Sequence, residues 1–465
     1  MHLSPLAVLI GWIPLGIYFF RRFPVRIAIL LNFFGGWAVL PNASYLQSSD
    51  PFPYWIEGVC LPTDYFLTKA TATAIAAIIG TLLYHGVEFK RFKPEICDLP
   101  MAIWCSVPLL SAVAHWSTLG ENLFGTVYQT IAWGVPWLLG RVFFSDRDSL
   151  LLGAKALVTA GICYVPVCLV EIFCGPQIYA LFYGYQPYRW VGAVRYLGFR
   201  PVGMLEDGNQ LGIWMAAATL IAVSLSLHPQ LRRILGLPTG LVAVGLAMTT
   251  LLCQSVGSIL LLLFLLPLTV LKRGSVMRAS VAILLFGIFA LVLFRMTNVV
   301  SLRELAKSNG AVHSIAAELA SVGRQSFGWR LARDESHIAL ALREPILGAG
   351  RWNWWDSSDT RPWSLWLLIL GMYGLVGLVA FGTILFWPIF RAAWSPADRN
   401  DADSNNIQQA FVALILMVAL DSLLNGALIL PYLVLIGGVA SGHFRLVAEN
   451  SVRPDRRRLP SGARH

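Results

Sequence analysis

Apolar runs of roughly 15 to 20 residues recur along the whole chain, and the short connections between alternate runs carry the basic residues. Arg21-Arg22 with Arg26, Lys90-Arg91 with Lys93, Arg141 with Arg147, Arg232-Arg233, and Lys272-Arg273 with Arg278 fall in connections of one set. The connections 42–66, 118–124 and 254–255 contain no Lys or Arg. A run of this length crosses a bilayer as a helix, and basic residues are retained on the cytoplasmic side. The pattern predicts an all-α polytopic membrane protein of about 13 transmembrane helices, N-terminus outside and C-terminus inside. Only 13% of the residues are charged, against about 25% in soluble domains. The formal charge of +10 is therefore topological, and nucleic acid is not an expected partner. The first run lacks a basic leader and a small-residue cleavage site, so it reads as a retained span.

The expected spans are 4–20, 26–41, 67–86, 99–117, 125–144, 149–173, 209–227, 238–253, 256–271, 280–297, 363–390, 409–426 and 427–441. Residues 1–465 read as a single membrane domain without internal repeats. It has an external loop at 174–208, a large external loop at 298–362 carrying amphipathic helices, and a basic cytoplasmic tail at 442–465. None of the seven cysteines has metal-site spacing, so no metal is expected. Cys60 and Cys174 both fall outside the membrane and can be paired or free.

Residues 298–362 are the longest polar stretch. In 327–350, Leu331, Ile338 and Leu342 fall on one helical stripe, with Phe327 a turn earlier. Arg330, Asp334 and His337 form a neighbouring polar stripe. Glu335 interrupts the apolar stripe, so it is either half-buried with a partner or at the edge of a cavity. Pro345 ends the helix, and Gly348 and Gly350 permit a tight turn. Arg343, Arg351 and Arg361 flank the unit. It reads as an amphipathic helix lying over the membrane domain and offering arginines to an anion. The plainer reading is a surface helix with an Arg330–Asp334 pair. His337 shares a face with Arg330 and is a candidate base, whereas His313 and His337 lack a second metal ligand nearby.

The other loop contains Arg195-Tyr-Leu-Gly-Phe-Arg200-Pro and then Glu206-Asp207. Two arginines beside a paired carboxylate suit a phosphate and a hydroxylated substrate. Alternatively, the arginines meet lipid headgroups and the acids charge a helix N-terminus. Asp421, with Asn425 one turn on, lies inside a span and is either functional or a structural hydrogen-bonder. The Tyr and Trp residues at 183–190 and 352–355 suit sugar stacking or an interfacial belt equally.

These loops and their neighbouring spans resemble the O-antigen ligase and O-antigen polymerase superfamily. The resemblance lies in Arg200-Pro201, in Arg330, Glu335, Arg343, Pro345, Gly348 and Gly350, and in the span segment Leu370-Gly-Met-Tyr-Gly374. Pro41 and Pro136-Trp-Leu-Leu-Gly-Arg141 are similar to its exopolysaccharide members. The resemblance implies a metal-independent glycosyltransferase without cofactor at the outer face of the bacterial inner membrane. Its donor would be a polyprenyl-pyrophosphate-linked oligosaccharide, and its partners would include chain-length or export proteins. Arg200, Arg330 and Arg351 would hold the pyrophosphate. Ligases of this group carry a His just before the span after the large loop, where this chain reads Asp359-Thr-Arg-Pro-Trp-Ser364. That departure favours a polymerase-like enzyme over ligase-type transfer to a lipid or protein acceptor. From the side-chain chemistry, Glu335 and Arg330 are the expected catalytic residues. Arg195, Arg200, Glu206, Asp207, Arg343 and Arg351 are the expected substrate-binding residues. The rivals are a lipid-linked oligosaccharide flippase and a nonenzymatic assembly protein.

Overall fold

The computed structural model describes residues 2–42, 66–90, 92–115, 119–185, 194–195, 197–228, 231–271, 274–297, 326–358, 360–394, 402–426 and 428–441. Cys60 and its pairing with Cys174, Arg189, Trp190, His313, Asp359, Lys272-Arg273 and the tail 442–465 lie outside the described residues. So do the side chains of Phe327 and Leu331.

The described residues are mostly helical. In order, it forms α1 (Pro5–Arg22), α2 (Val25–Val39), α3 (Lys69–Phe89), α4 (Leu99–Ala114), α5 (Leu119–Gln129), α6 (Val135–Phe143), α7 (Arg147–Cys174) and the short α8 (Ile178–Tyr183). After these come α9 (Gly208–Ser226), α10 (Thr239–Leu252), α11 (Val256–Val270), α12 (Ser275–Thr297), α13 (Ser326–Ala341), α14 (Leu365–Trp394), α15 (Ala402–Asp421) and α16 (Tyr432–Ala440). Two antiparallel pairs of two residues each add to the helices. They are β1 (Val194–Arg195) with β2 (Gly198–Phe199), and β3 (Arg233–Ile234) with β4 (Leu237–Pro238).

Among the described residues, six helices are long and apolar enough to cross a membrane, and four shorter helices are apolar. Among the expected spans, 4–20, 125–144 and 427–441 correspond to α1, to α5 with α6, and to α16, which are outside those two sets. The 125–144 run is divided by a π-helical turn at Thr130–Gly134, and α16 is only nine residues long.

Burial orders the bundle. The apolar window of α9 is 89% buried, whereas that of α12 is only 17% buried and faces outward. The start of α9 therefore lies at the centre of one end of the bundle. Helix ends at Lys69, Cys174, Gly208, Val256, Thr297, Leu365 and Asp421 gather there through the contacts described below. Small residues let the helices close on one another. A Cβ on Gly140 of α6 would sit 2.1 Å from the carbonyl oxygen of Val434 in α16.

The longest helix, α14, is broken. Gly374 takes φ 62° and ψ −160°, and the turn that follows α13 threads into the gap. Ala349 N donates to Gly371 O (2.9 Å) and Gly350 N to Met372 O (3.0 Å). Leu375 N donates to Pro345 O (2.7 Å) and Val376 N to Ile346 O (3.1 Å). A break inside a span is tolerated where another backbone satisfies the freed groups, as it does here. Contact is so close that a Cβ on Gly374 would lie 2.3 Å from Ile346 O, and one on Gly348 would lie 2.5 Å from Met372 O. Pro345-x-x-Gly-x-Gly350 and Gly371-x-x-Gly374 are thus two halves of one backbone junction.

Candidate functional site

The Arg200 loop is held from below by a carboxylate in α7. Glu171 is buried, and its Oε2 accepts from Val202 N and Gly203 N, both at 2.7 Å, while Oε1 accepts from Ile178 N at 3.0 Å. The Tyr164 hydroxyl accepts from Met204 N at 2.8 Å. Lys69, fully buried at the start of α3, donates to Met204 O at 3.3 Å and sits 4.3 Å from the Trp37 ring centroid. Two helices, α7 and α3, therefore fix the backbone between Arg200 and Asp207. Asp207 then caps α9, its Oδ1 accepting from Asn209 N (2.8 Å) and Gln210 N (2.7 Å). Arg200 lies back over Gly208, and its Nη2 donates to Asn209 Oδ1 (2.6 Å) and to Ser255 Oγ (3.1 Å) in the α10–α11 turn.

Arg330 approaches the same place from α13. Its Nη1 donates to Asn425 Oδ1 at 2.5 Å, and Asn425 Nδ2 donates to Asp421 Oδ1 at 2.5 Å. Leu365 N donates to Asn425 O, joining the start of α14 to this pair. Burial holds the Arg330 guanidinium below its usual range, and the nearby carboxylates of Asp207, Asp421 and Asp334 offset part of that. Asp207 is therefore shared: it orients Asn209 for Arg200 and lies within the electrostatic reach of Arg330. Between the two arms, Gln210 accepts from Glu206 N and donates to Leu428 O at 2.8 Å. A cavity of ≈ 10 Å³, lined by Gln210 and Asp421 among others, lies beside it and has room for about one water.

The polar stripe of α13 faces inward, but its partners differ from the expected ones. Asp334, only 2% exposed, does not pair with Arg330. Its Oδ1 accepts from Trp363 N (2.6 Å) and Ser364 N (3.2 Å), and its Oδ2 lies 3.5 Å from Arg295 of α12. Burial makes a carboxylate seek several donors at once, and the start of α14 offers two backbone N–H groups. His337 is fully buried; its Nδ1 faces Arg333 O (2.7 Å) and its Nε2 faces Thr360 O (2.5 Å). With both nitrogens so engaged, it orients the segment before α14 and has none left to take a substrate proton. Glu335 is half-buried and within the electrostatic reach of Arg295.

The remaining expected residues are more dispersed. Arg195 stands opposite Gly198 in the β1–β2 pair, half-buried. Glu206 is fully buried beneath the loop. Arg343 and Arg351 are exposed, and neither enters the Arg200–Arg330 contacts found among the described residues. They flank the turn that joins α14. His115 binds that turn through Gly348 O (3.0 Å) and Glu344 (2.5 Å), and Ser111 binds Leu347 O (2.9 Å). Glu171, Asn209, Ser255, Arg295 and Lys69 are site residues that the motif reading passed over. Glu171 had one available signal, an acid at the end of an apolar run.

Comparison with family models, curated proteins and solved structures finds no match to this chain.

Proposed function

We propose that this chain is a polymerase-like membrane glycosyltransferase. It transfers an oligosaccharide from a polyprenyl-pyrophosphate donor to a growing glycan at the outer face of the bacterial inner membrane, with about 13 helices crossing the bilayer. The observation that carries this reading is the approach of Arg200 and Arg330 to Asp207, which orients Asn209 for Arg200 and lies within the electrostatic reach of Arg330. Departure of the diphosphate leaves negative charge on its oxygens, and preorganised guanidinium groups in a water-poor site stabilise that charge as it forms. Arginine suits the task because it stays protonated under partial burial. The acceptor hydroxyl gives up its proton to a carboxylate, for which half-buried Glu335 is the assigned base. Asp207 is occupied in capping α9, and Asp334 in holding Trp363 and Ser364.

Broken spans also occur in transporters, where the freed backbone binds ions. Here the turn 345–350 takes up the backbone freed at Gly374, which favours the enzyme over the flippase. The test is purified protein in proteoliposomes with a lipid-linked oligosaccharide. The reading predicts glycan lengthening, lost in Arg330→Ala and retained in Arg343→Ala. Movement of the lipid-linked sugar across the bilayer without lengthening would contradict it.

A further inference from the structure

The connection between α9 and α10 contains a β-hairpin with an apolar tip. Arg233 pairs with Pro238 and Ile234 with Leu237, which leaves Leu235 and Gly236 as a two-residue turn. Their φ angles are 52° and 81°. A tight hairpin turn with both central residues at positive φ favours Asn-Gly, because a bulky side chain is strained at the first position. Leucine there works against the turn. It is also 63% exposed, and Leu237 across the turn is 45% exposed. Apolar surroundings outside the chain would offset both costs. The tip is held in place from its base. Ile234 is buried against the bundle. Thr239, the first residue of α10, donates from its hydroxyl to Leu231 O (2.5 Å) and from N to Arg232 O (3.1 Å).

The hairpin's position points to what covers it. From Gly208 beside Arg200, α9 runs for 19 residues, or about 28 Å, close to the thickness of a bilayer core. The hairpin therefore lies at the opposite end of the bundle from the Arg200–Arg330 site. Leaving it, α10 exposes Leu241, Val244, Met248 and Leu251 at helical spacing, an outward stripe suited to hydrocarbon. Arg232 and Arg233 are exposed just before the tip and enter no ion pair among the described residues. Leucines beside arginines match the two layers of a membrane surface, acyl chains and then phosphates. We propose that the hairpin 232–238 is an interfacial anchor, with Leu235 and Leu237 in the acyl layer and Arg232 and Arg233 on the phosphates of anionic phospholipid. The anchor needs no glycan transfer, so it stands or falls apart from the transferase reading.

The test is photocrosslinking of purified full-length protein carrying a benzophenone amino acid in place of Leu235. The vesicles hold equal phosphatidylglycerol and phosphatidylcholine, and adducts are read by mass spectrometry. The anchor predicts phospholipid adducts in which phosphatidylglycerol predominates, and Arg232→Gln/Arg233→Gln lowers that preference about fivefold or more. Absence of lipid adducts, crosslinks to a second copy of the chain instead of lipid, or equal adducts of the two lipids overturns the anchor. Should the probe variant misfold, the wild type still answers. Peptides covering 231–239 must exchange backbone deuterium more slowly in phosphatidylglycerol vesicles than in phosphatidylcholine vesicles, and equal exchange overturns the proposal. Leu235→Asn separates the anchor from a purely structural role, because Asn suits the turn better than Leu. In phosphatidylglycerol vesicles the anchor predicts faster exchange in that variant, and unchanged or slower exchange counts against it.

Discussion

Replacing Gly374 by Ala tests the junction on which the α13-to-α14 connection depends. Gly374 holds φ 62° and ψ −160°, a region essentially restricted to glycine, where another residue costs about 1–3 kcal/mol. The added Cβ would also lie 2.3 Å from both the carbonyl carbon and the oxygen of Ile346, so backbone must shift. Overpacking of this kind adds about 1–3 kcal/mol. Together these give a destabilisation of about 2–6 kcal/mol. The same helix supplies the control. Gly382 is helical and a Cβ there would meet only Phe386, at 4.0 Å. Gly382→Ala should be neutral or stabilise by about 0.5–1 kcal/mol. The assay is the temperature at which half of the detergent-purified protein leaves the monodisperse peak, at one heating rate, because unfolding of such chains is commonly irreversible. Gly374→Ala should lower that temperature by several degrees while Gly382→Ala does not. Equal behaviour of the two variants would refute the interlocked-backbone argument.

Glu171→Gln keeps the shape but removes the charge from three short contacts to backbone N–H groups. It should cost about 2–4 kcal/mol and speed proteolysis within 174–207, and an unchanged cleavage rate would show that Glu171 is not the clamp. Asp334→Ala leaves Arg295 and two backbone N–H groups without their acceptor. Breaking a buried pair of this kind costs about 3–5 kcal/mol, whereas Asp334→Asn should recover part of the melting temperature. At the far end of the bundle, Arg141 makes paired bonds to Asp98 at 2.8 and 3.2 Å. Arg141→Lys should lose about 1–2 kcal/mol, read in the same melting assay.

Much of the architecture is written in hydropathy. Period and length mark the apolar helices, and Asp207 followed by Gly and Asn announces a helix start. Pro345 and the two glycines after it predict a turn. What periodicity does not carry is the partner across the fold. Nothing local says that the turn 345–350 inserts into a span more than twenty residues later, since that depends on the break at Gly374. Arg330 and Asp334 are legible as one stripe, and i,i+4 spacing suggests that they pair. Tertiary context redirects both, Arg330 to Asn425 and Asp334 to Arg295 and the start of α14. Glu171 is hidden for a related reason. A single acid in an apolar run reads as a local cost, and its donors, at Val202 and Gly203, belong to a different loop.

Asp207 stands between the Arg200 loop and the Arg330 helix, orienting Asn209 for Arg200 and acting electrostatically on Arg330. Asp207→Asn retains a good helix cap while removing the charge, and Arg330→Gln removes the opposing one. A double-mutant cycle on glycan lengthening and on melting temperature measures their coupling. The combined loss should depart from the sum of the single losses by about 0.5–3 kcal/mol. Losses that add to within about 0.5 kcal/mol in both readouts would contradict that coupling, because the two arms would then be independent.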